Sequence, residues 1–353
     1  MDFRYSDDQI LLQSTVRDFL AKECTPEVVR ALWETPTARS AALWKKLAEV
    51  GVPGLLVPEA HGGMGMSELE AVLILEEAGR AALAEPLVAS AAVAAPLLRE
   101  IGGELASEWL PRIAAGEAVV AVGHPALPFV EDAHVADLLL LPRGEDALFA
   151  LPRASVRLEE QPALDPSRRI ARAEFDAGAV RPVARGAQAC ALFAAALDRG
   201  ALACAAQALG ACDRMLDLSV AYASQRRQFG KPIGSYQAVK HMLANAKVAL
   251  EYARPVVQRA AASVARGAAA RAAHVSMAKL TACDAARLAA RVALQCHGAI
   301  GYTWEQDLHL WMRRAWSLAQ SWGRAPFHLA RVRAAILEGS LPIGPGSTFA
   351  GGS

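Results

Sequence analysis

Two stretches of the chain carry residue types whose spacing could do chemistry. The first, Tyr222-Ala-Ser-Gln-Arg226-Arg-Gln228-Phe229-Gly230-Lys-Pro-Ile233-Gly-Ser-Tyr236-Gln237, sets guanidinium and amide donors beside apolar side chains. A planar guanidinium offers several fixed donors to an anionic group such as a phosphate. The second, Gln295-Cys-His-Gly298-Ala-Ile-Gly301-Tyr302, interrupts a helical pattern with glycines, and backbone amides freed at such a break can also meet an anion. Each stretch has an ordinary reading beside the chemical one. The first would be a solvated basic turn between helices, with Arg226 and Arg227 at the surface and Phe229 in the core. The second would simply be a helix broken at Gly298 and Gly301.

Other chemistries find less support. The six cysteines, Cys24, Cys190, Cys204, Cys212, Cys283 and Cys296, form no CxxC pair and read as reduced core residues. The glycine-rich loop from Val52 to Gly65 lacks the preceding strand and the lysine of a P-loop, so it reads as a helix connector. Gly-x-Ser-x-Gly is absent and no metal site is expected. With Lys+Arg 37 against Asp+Glu 36 and no long basic run, nucleic acid is not expected as a partner. The N-terminus has no apolar signal core and no stretch reads as a membrane span, which predicts a cytoplasmic protein.

The elements that must position the two stretches can be read coarsely. At 54% hydrophobic residues the chain can bury a large core. Residues 1–116 read as a helical domain: Ser6 to Gln9 and Ser67 to Glu70 are capping boxes, and another helix runs through Leu43, Trp44 and Leu47. Residues 117–185 change to short apolar runs, Ala118 to Val122, Asp137 to Leu141, Ala147 to Leu151 and Val156 to Leu158, and read as a small β domain. Alanine-rich helical signals return over 186–340 as a bundle of four or five helices, and 341–353 read as a flexible tail. The fold class expected is mainly α with a small β domain.

The two stretches, together with Leu43 to Gly65, resemble the acyl-CoA dehydrogenase family over nearly the whole chain. The resemblance implies the layout of N-terminal helices, central β domain and C-terminal bundle. It implies flavin adenine dinucleotide (FAD) as cofactor, held in part across a subunit interface by the Arg-x-x-Phe-Gly segment. Carried over, the cofactor contacts would be Arg226, Gln228, Phe229, Ile233, Tyr236, Gln237, Gln295 and Gly298, with Ala299 standing where the family pattern has a glycine.

The resemblance also locates what is missing. The family keeps a catalytic carboxylate at one of two places, which fall here on Gly200 and Trp322. Asp198, Glu305 and Asp307 lie close by, and each is more simply a helix-end charge. The Thr-Glu-Pro loop that holds the flavin ring is replaced by Ala118 to Pro128, and no tryptophan occurs between Trp109 and Trp304. His124, in that segment, reads as a surface residue, while Trp311 and Trp322 read as core or interface. The expectation is therefore a non-catalytic subunit of a heteromeric acyl-CoA dehydrogenase acting on a bulky acyl-CoA. A homologous partner would carry the glutamate, and an electron-transfer flavoprotein would be a candidate acceptor. The alternatives are a self-sufficient homo-oligomeric flavoprotein of altered, lyase- or desulfinase-like chemistry, or a non-enzymatic assembly protein.

Overall fold

A computed structural model describes residues 4–341 and 344. The first layer is helical: α1 (Asp7–Glu23), α2 (Pro26–Trp33), α3 (Ala41–Glu49), α4 (Glu68–Arg80), a π-helical turn Leu87–Ala94, α5 (Ala95–Ile101) and α6 (Gly103–Ala114). Both expected capping boxes form, with the Ser6 and Ser67 hydroxyls accepting from backbone amides while Gln9 and Glu70 reach back to the cap N–H groups.

The β layer consists of β1 (Val120–Val122), β2 (Val130–Glu131), β3 (Leu138–Pro142), β4 (Ala147–Pro152), β5 (Arg157–Gln161), β6 (Ile170–Glu174) and β7 (Ala184–Arg185). They form a mixed sheet in the order β1-β3-β4-β7 and an antiparallel one in the order β2-β6-β5. Along β3 the period of two decides which core each leucine joins. Leu138 and Leu140 pack into the helical core, whereas Leu139 and Leu141 face the second sheet with Val130, Phe149 and Val156.

The third layer is a five-helix bundle: α7 (Gly186–Gln225), α8 (Gln237–Ala265), α9 (Arg271–His297), α10 (Leu308–Gln320) and α11 (Ala325–Leu337). A short hairpin of β8 (Arg227–Gln228) and β9 (Lys231–Pro232) joins α7 to α8. By length and composition alone α7 is long and apolar enough to cross a membrane, but 78% of its most apolar stretch is buried inside the fold, so it is the core helix. It crosses α4 at backbone contact. A Cβ on Gly210 would lie 1.8 Å from the Glu76 carbonyl oxygen, and one on Gly79 would lie 2.0 Å from that of Gln207. Of the expected tail, 342–343 and 345–353 lie outside the described residues, and Leu341 is buried rather than free.

Arg314 of α10 ties the three layers together. Only 1% exposed, it donates to Asp165 Oδ2 at 2.5 Å and to the carbonyls of Leu83 and Ala82 at 2.7 and 3.1 Å. Burial alone would raise the Asp165 carboxyl, but the Arg314 charge and hydrogen bond outweigh it and hold the carboxyl below its usual range. A carboxylate depressed in this way contributes stability that is fully present above its unfolded pKa, about 3.9, and is lost as pH falls through the lower folded value. Asp165→Asn should therefore cost about 3 kcal/mol at pH 7, as expected for removing one partner of a buried pair. The difference from the parent should shrink below about pH 4; matched denaturant titrations at the two pH values check it.

Candidate functional site

At the end of α7 the chain turns back through Phe229-Gly230, whose φ angles of +52° and +83° make the left-handed two-residue turn that right-twisted hairpins prefer. Glycine tolerates this region; phenylalanine pays in strain and here also in exposure, since Phe229 is 93% exposed. The reading that placed Phe229 in the core is thereby overturned. The return strand is held by Ile233 N–H to the Arg226 carbonyl at 2.8 Å and by Tyr236 Oη to the Gln228 carbonyl at 3.2 Å. Ile233 and Tyr236 are half-buried, while Arg226, Gln228 and Gln237 are exposed.

The second stretch sits at the same end of the bundle. α9 ends at His297, Gln295 is exposed on its last turn, and Gly298 takes φ +65° with open space where a Cβ would stand. The His297 ring stacks on Tyr222 with centroids 4.5 Å apart and planes at 24°, and the Cys296 thiol donates to the Ser219 carbonyl at 3.6 Å. The fold thus brings both stretches together. Among the described residues, the side chains of Arg226, Gln228, Gln237 and Gln295 make no hydrogen bond or ion pair, so their donors are uncommitted.

A cleft of about 530 Å³ lies between the β layer and the bundle, lined by Val122, Leu127, Phe129, Glu131, Leu197 and Trp322. Gly200 and Trp322, far apart in sequence, meet here: a Cβ on Gly200 would lie 2.0 Å from Trp322 Cδ2. Trp322 is 3% exposed and adopts φ +53°. Its segment is held on all sides. The His328 imidazole reaches the Trp322 carbonyl at 3.0 Å, Lys279 Nζ donates to the carbonyls of Leu318 and Ser321, and Ser321 Oγ donates to Glu131 at 2.5 Å. Burial and the nearby Lys279 push the His328 pKa down to about 4, so its ring is neutral at pH 7.

Two family models match the chain, the acyl-CoA dehydrogenase N-terminal domain over residues 6–117 and the C-terminal domain over residues 190–337. The chain is 33% identical over 338 residues to the acyl-CoA dehydrogenase IpdE2 of Mycolicibacterium smegmatis, covering 94% of this chain and 99% of that protein. It is 32% identical over 317 residues to the IpdE2 of Mycobacterium tuberculosis, covering 89% and 92%. The chain belongs to the acyl-CoA dehydrogenase family. Among solved structures it is similar to a chain of the ChsE4-ChsE5 complex from Mycobacterium tuberculosis, with a TM-score of 0.85, 25% identity, and coverage of 96% of this chain and 99% of that one.

The chain thus belongs to a family of flavoprotein oxidoreductases, and the structure corrects one expectation about its carboxylates. Asp198 is no helix cap: it lies buried in the middle of α7, paired with Arg331 at 2.7 Å and Arg271 at 3.5 Å. Asp307 pairs with Arg30, and Glu305 is exposed beside Thr303. Glu131, a cleft residue that sequence reading missed, accepts from Arg168 and from Ser321, each at 2.5 Å. Burial would raise its pKa, but Arg168 and Ser321 bring it below the usual range, the wrong direction for a base. Glu131 also opens the Glu131-Asp-Ala-His134 pattern, but His134 is committed to the Thr37 carbonyl, and no metal-holding group of three occurs among the described residues.

His124 is buried rather than on the surface. Its ring meets Phe193 edge-on at 5.8 Å, Nδ1 accepts from Ala126 N–H, and burial lowers its pKa to about 4. Trp311 is buried as expected, whereas Trp304 is exposed; five cysteines are buried and Cys190 is exposed. The fit of glycine to indole across the cleft is directly testable. Gly200→Ala should destabilise the chain by about 1–3 kcal/mol through overpacking, and the same change should cost much less in a Trp322→Leu background, where the indole it collides with is gone. A thermal-melt double-mutant cycle measures the coupling.

Proposed function

We propose that this chain is the non-catalytic subunit of a heteromeric acyl-CoA dehydrogenase, supplying the across-interface part of an FAD site. The observation that carries this reading is the convergence of Arg226, Gln228, Phe229 and Gln295 at one exposed bundle end, with donors uncommitted and an aromatic side chain fully presented. Those residue types fit a dinucleotide. Arg226 and the two glutamines would bind the pyrophosphate and its flanks, Phe229, Ile233 and Tyr236 would cover apolar faces, and Gln237 and Gly298 would line the approach. When bound, the flavin supplies a hydride acceptor for α,β-dehydrogenation of an acyl-CoA.

The base and the acyl-CoA pocket belong, in this reading, to a homologous partner chain that carries the glutamate. Proton removal next to a thioester needs a carboxylate whose basicity is raised by desolvation. At this chain's cleft the two base positions are occupied by Gly200 against Trp322, and Glu131 and Asp198 are neutralised by arginines. Likeness to a complex of two differently named chains supports a heteromer. A bulky acyl group, reoxidation by an electron-transfer flavoprotein and a cytoplasmic location complete the proposal.

The test is flavin absorbance per chain, measured on this protein alone and reconstituted with a homologous partner. Little flavin alone and stoichiometric flavin in the complex are expected, and Arg226→Ala should lower occupancy of the complex about tenfold or more without changing the melting temperature of this chain. Full flavin in a homo-oligomer would sink the shared-site reading in favour of a self-sufficient flavoprotein.

A further inference from the structure

The proposed flavin-facing residues lie on two separate segments, and something must fix one against the other. Tyr222 stands at the junction. Its carbonyl accepts the Arg226 N–H at 2.8 Å, and the Arg226 carbonyl in turn accepts from Ile233, so the hairpin hangs from the last turn of α7. Gly234 brings the return strand against the same turn, where a Cβ would lie 3.1 Å from the Ala223 carbonyl oxygen. On its other side the Tyr222 ring lies against His297, the residue directly before Gly298. The His297 ring cannot pivot freely: Nδ1 donates to the Ala293 carbonyl at 2.8 Å, and the residue is buried. Burial also lowers its pKa, which favours the neutral imidazole in the stack.

We infer that Tyr222 and His297 are positioning residues, a ring-on-ring clamp that sets the spacing between the Arg226 hairpin and the Gln295–Gly298 helix end. Neither side chain need touch the cofactor. The clamp acts by removing freedom that binding would otherwise have to remove, and a stacked pair is worth up to roughly tenfold in an equilibrium constant. The ring plane matters for this role, whereas charge and hydroxyl do not. The inference rests on the flavin reading above for its consequence, though not for the clamp itself.

Two readouts separate the clamp from that reading. In this chain alone, hydrogen exchange of amides 226–236 should quicken in Tyr222→Ala and His297→Ala and stay near the parent rate in Tyr222→Phe and His297→Phe. In the reconstituted complex, both alanine variants should bind FAD about tenfold more weakly, with the phenylalanine variants within about threefold of the parent. His297→Leu, which keeps bulk but not the plane, should behave like alanine and covers the case in which His297→Ala does not fold. Parent-like exchange and affinity in the alanine and leucine variants would overturn the clamp, as would equal losses in the phenylalanine and leucine variants. If Arg226→Ala also left FAD affinity unchanged, the flavin reading would fall, and the exchange data would still decide the clamp.

Discussion

Everything at the cleft hangs from one guanidinium. Arg314 is nearly inaccessible to water, yet three acceptors from two other layers converge on it: Asp165 of the β layer and the carbonyls of Ala82 and Leu83 beyond α4. Five donors in a fixed plane suit this role better than a lysine would, because each bond constrains orientation as well as distance. Burying the charge is expensive, and only a full set of partners makes it tolerable. Asp165 is itself extended outward through Ser167 to the Trp33 indole, so α2 is drawn into the same frame. α10 therefore enters the core at one angle, and the segment that follows it, Ser321 to Gly323, arrives at the cleft already aimed.

What arrives there is a packing solution. Trp322 fits because position 200 has no side chain, and Gly200 is covered because Trp322 is there. The surrounding polar groups serve rigidity: Lys279 satisfies the last carbonyls of α10, and His328 and Glu131 hold the turn from either side. Carboxylates tied to arginines are stable and chemically quiet. The opposite end of the bundle has the reverse character, with free donors and an exposed ring on a strained turn. Strain and exposure tolerated together are the marks of a surface shaped for a ligand or partner.

The parts of this fold that were legible in sequence are those with local signals. Capping boxes at Ser6 and Ser67, the helical spacing of α3, and the apolar runs of β1, β3 and β4 all report short-range physics. β2, β6 and β7 escaped because they are two to five residues long or alternate with charge, as in Ile170-Ala-Arg-Ala-Glu174. Asp198 looked like a cap because a single Asp-Arg pair cannot reveal that Arg271 and Arg331 arrive from other helices. Glu131 gave no signal for the same reason: its partners Arg168 and Ser321 are 37 and 190 residues away. Gly200 and Trp322 could each be noted as departures from a family pattern, but their contact is a property of three dimensions alone.

β3 carries a consequence of a different kind. Its four consecutive leucines are buried on both faces, so sliding the strand by one position would exchange leucine for leucine at three of the four sites and bring Asp137 or Pro142 to the fourth. Burial of the leucines alone does not choose the register. The choice falls to the strand's polar start, where Asp137 Oδ2 accepts the Val119 N–H and Asp137 N–H returns to the Val119 carbonyl, each at 2.8 Å. At the other end the Arg143 N–H closes onto the Ala147 carbonyl at 2.9 Å. An aspartate at the strand's mouth thus acts as an index mark, telling otherwise identical side chains which of them faces the helices.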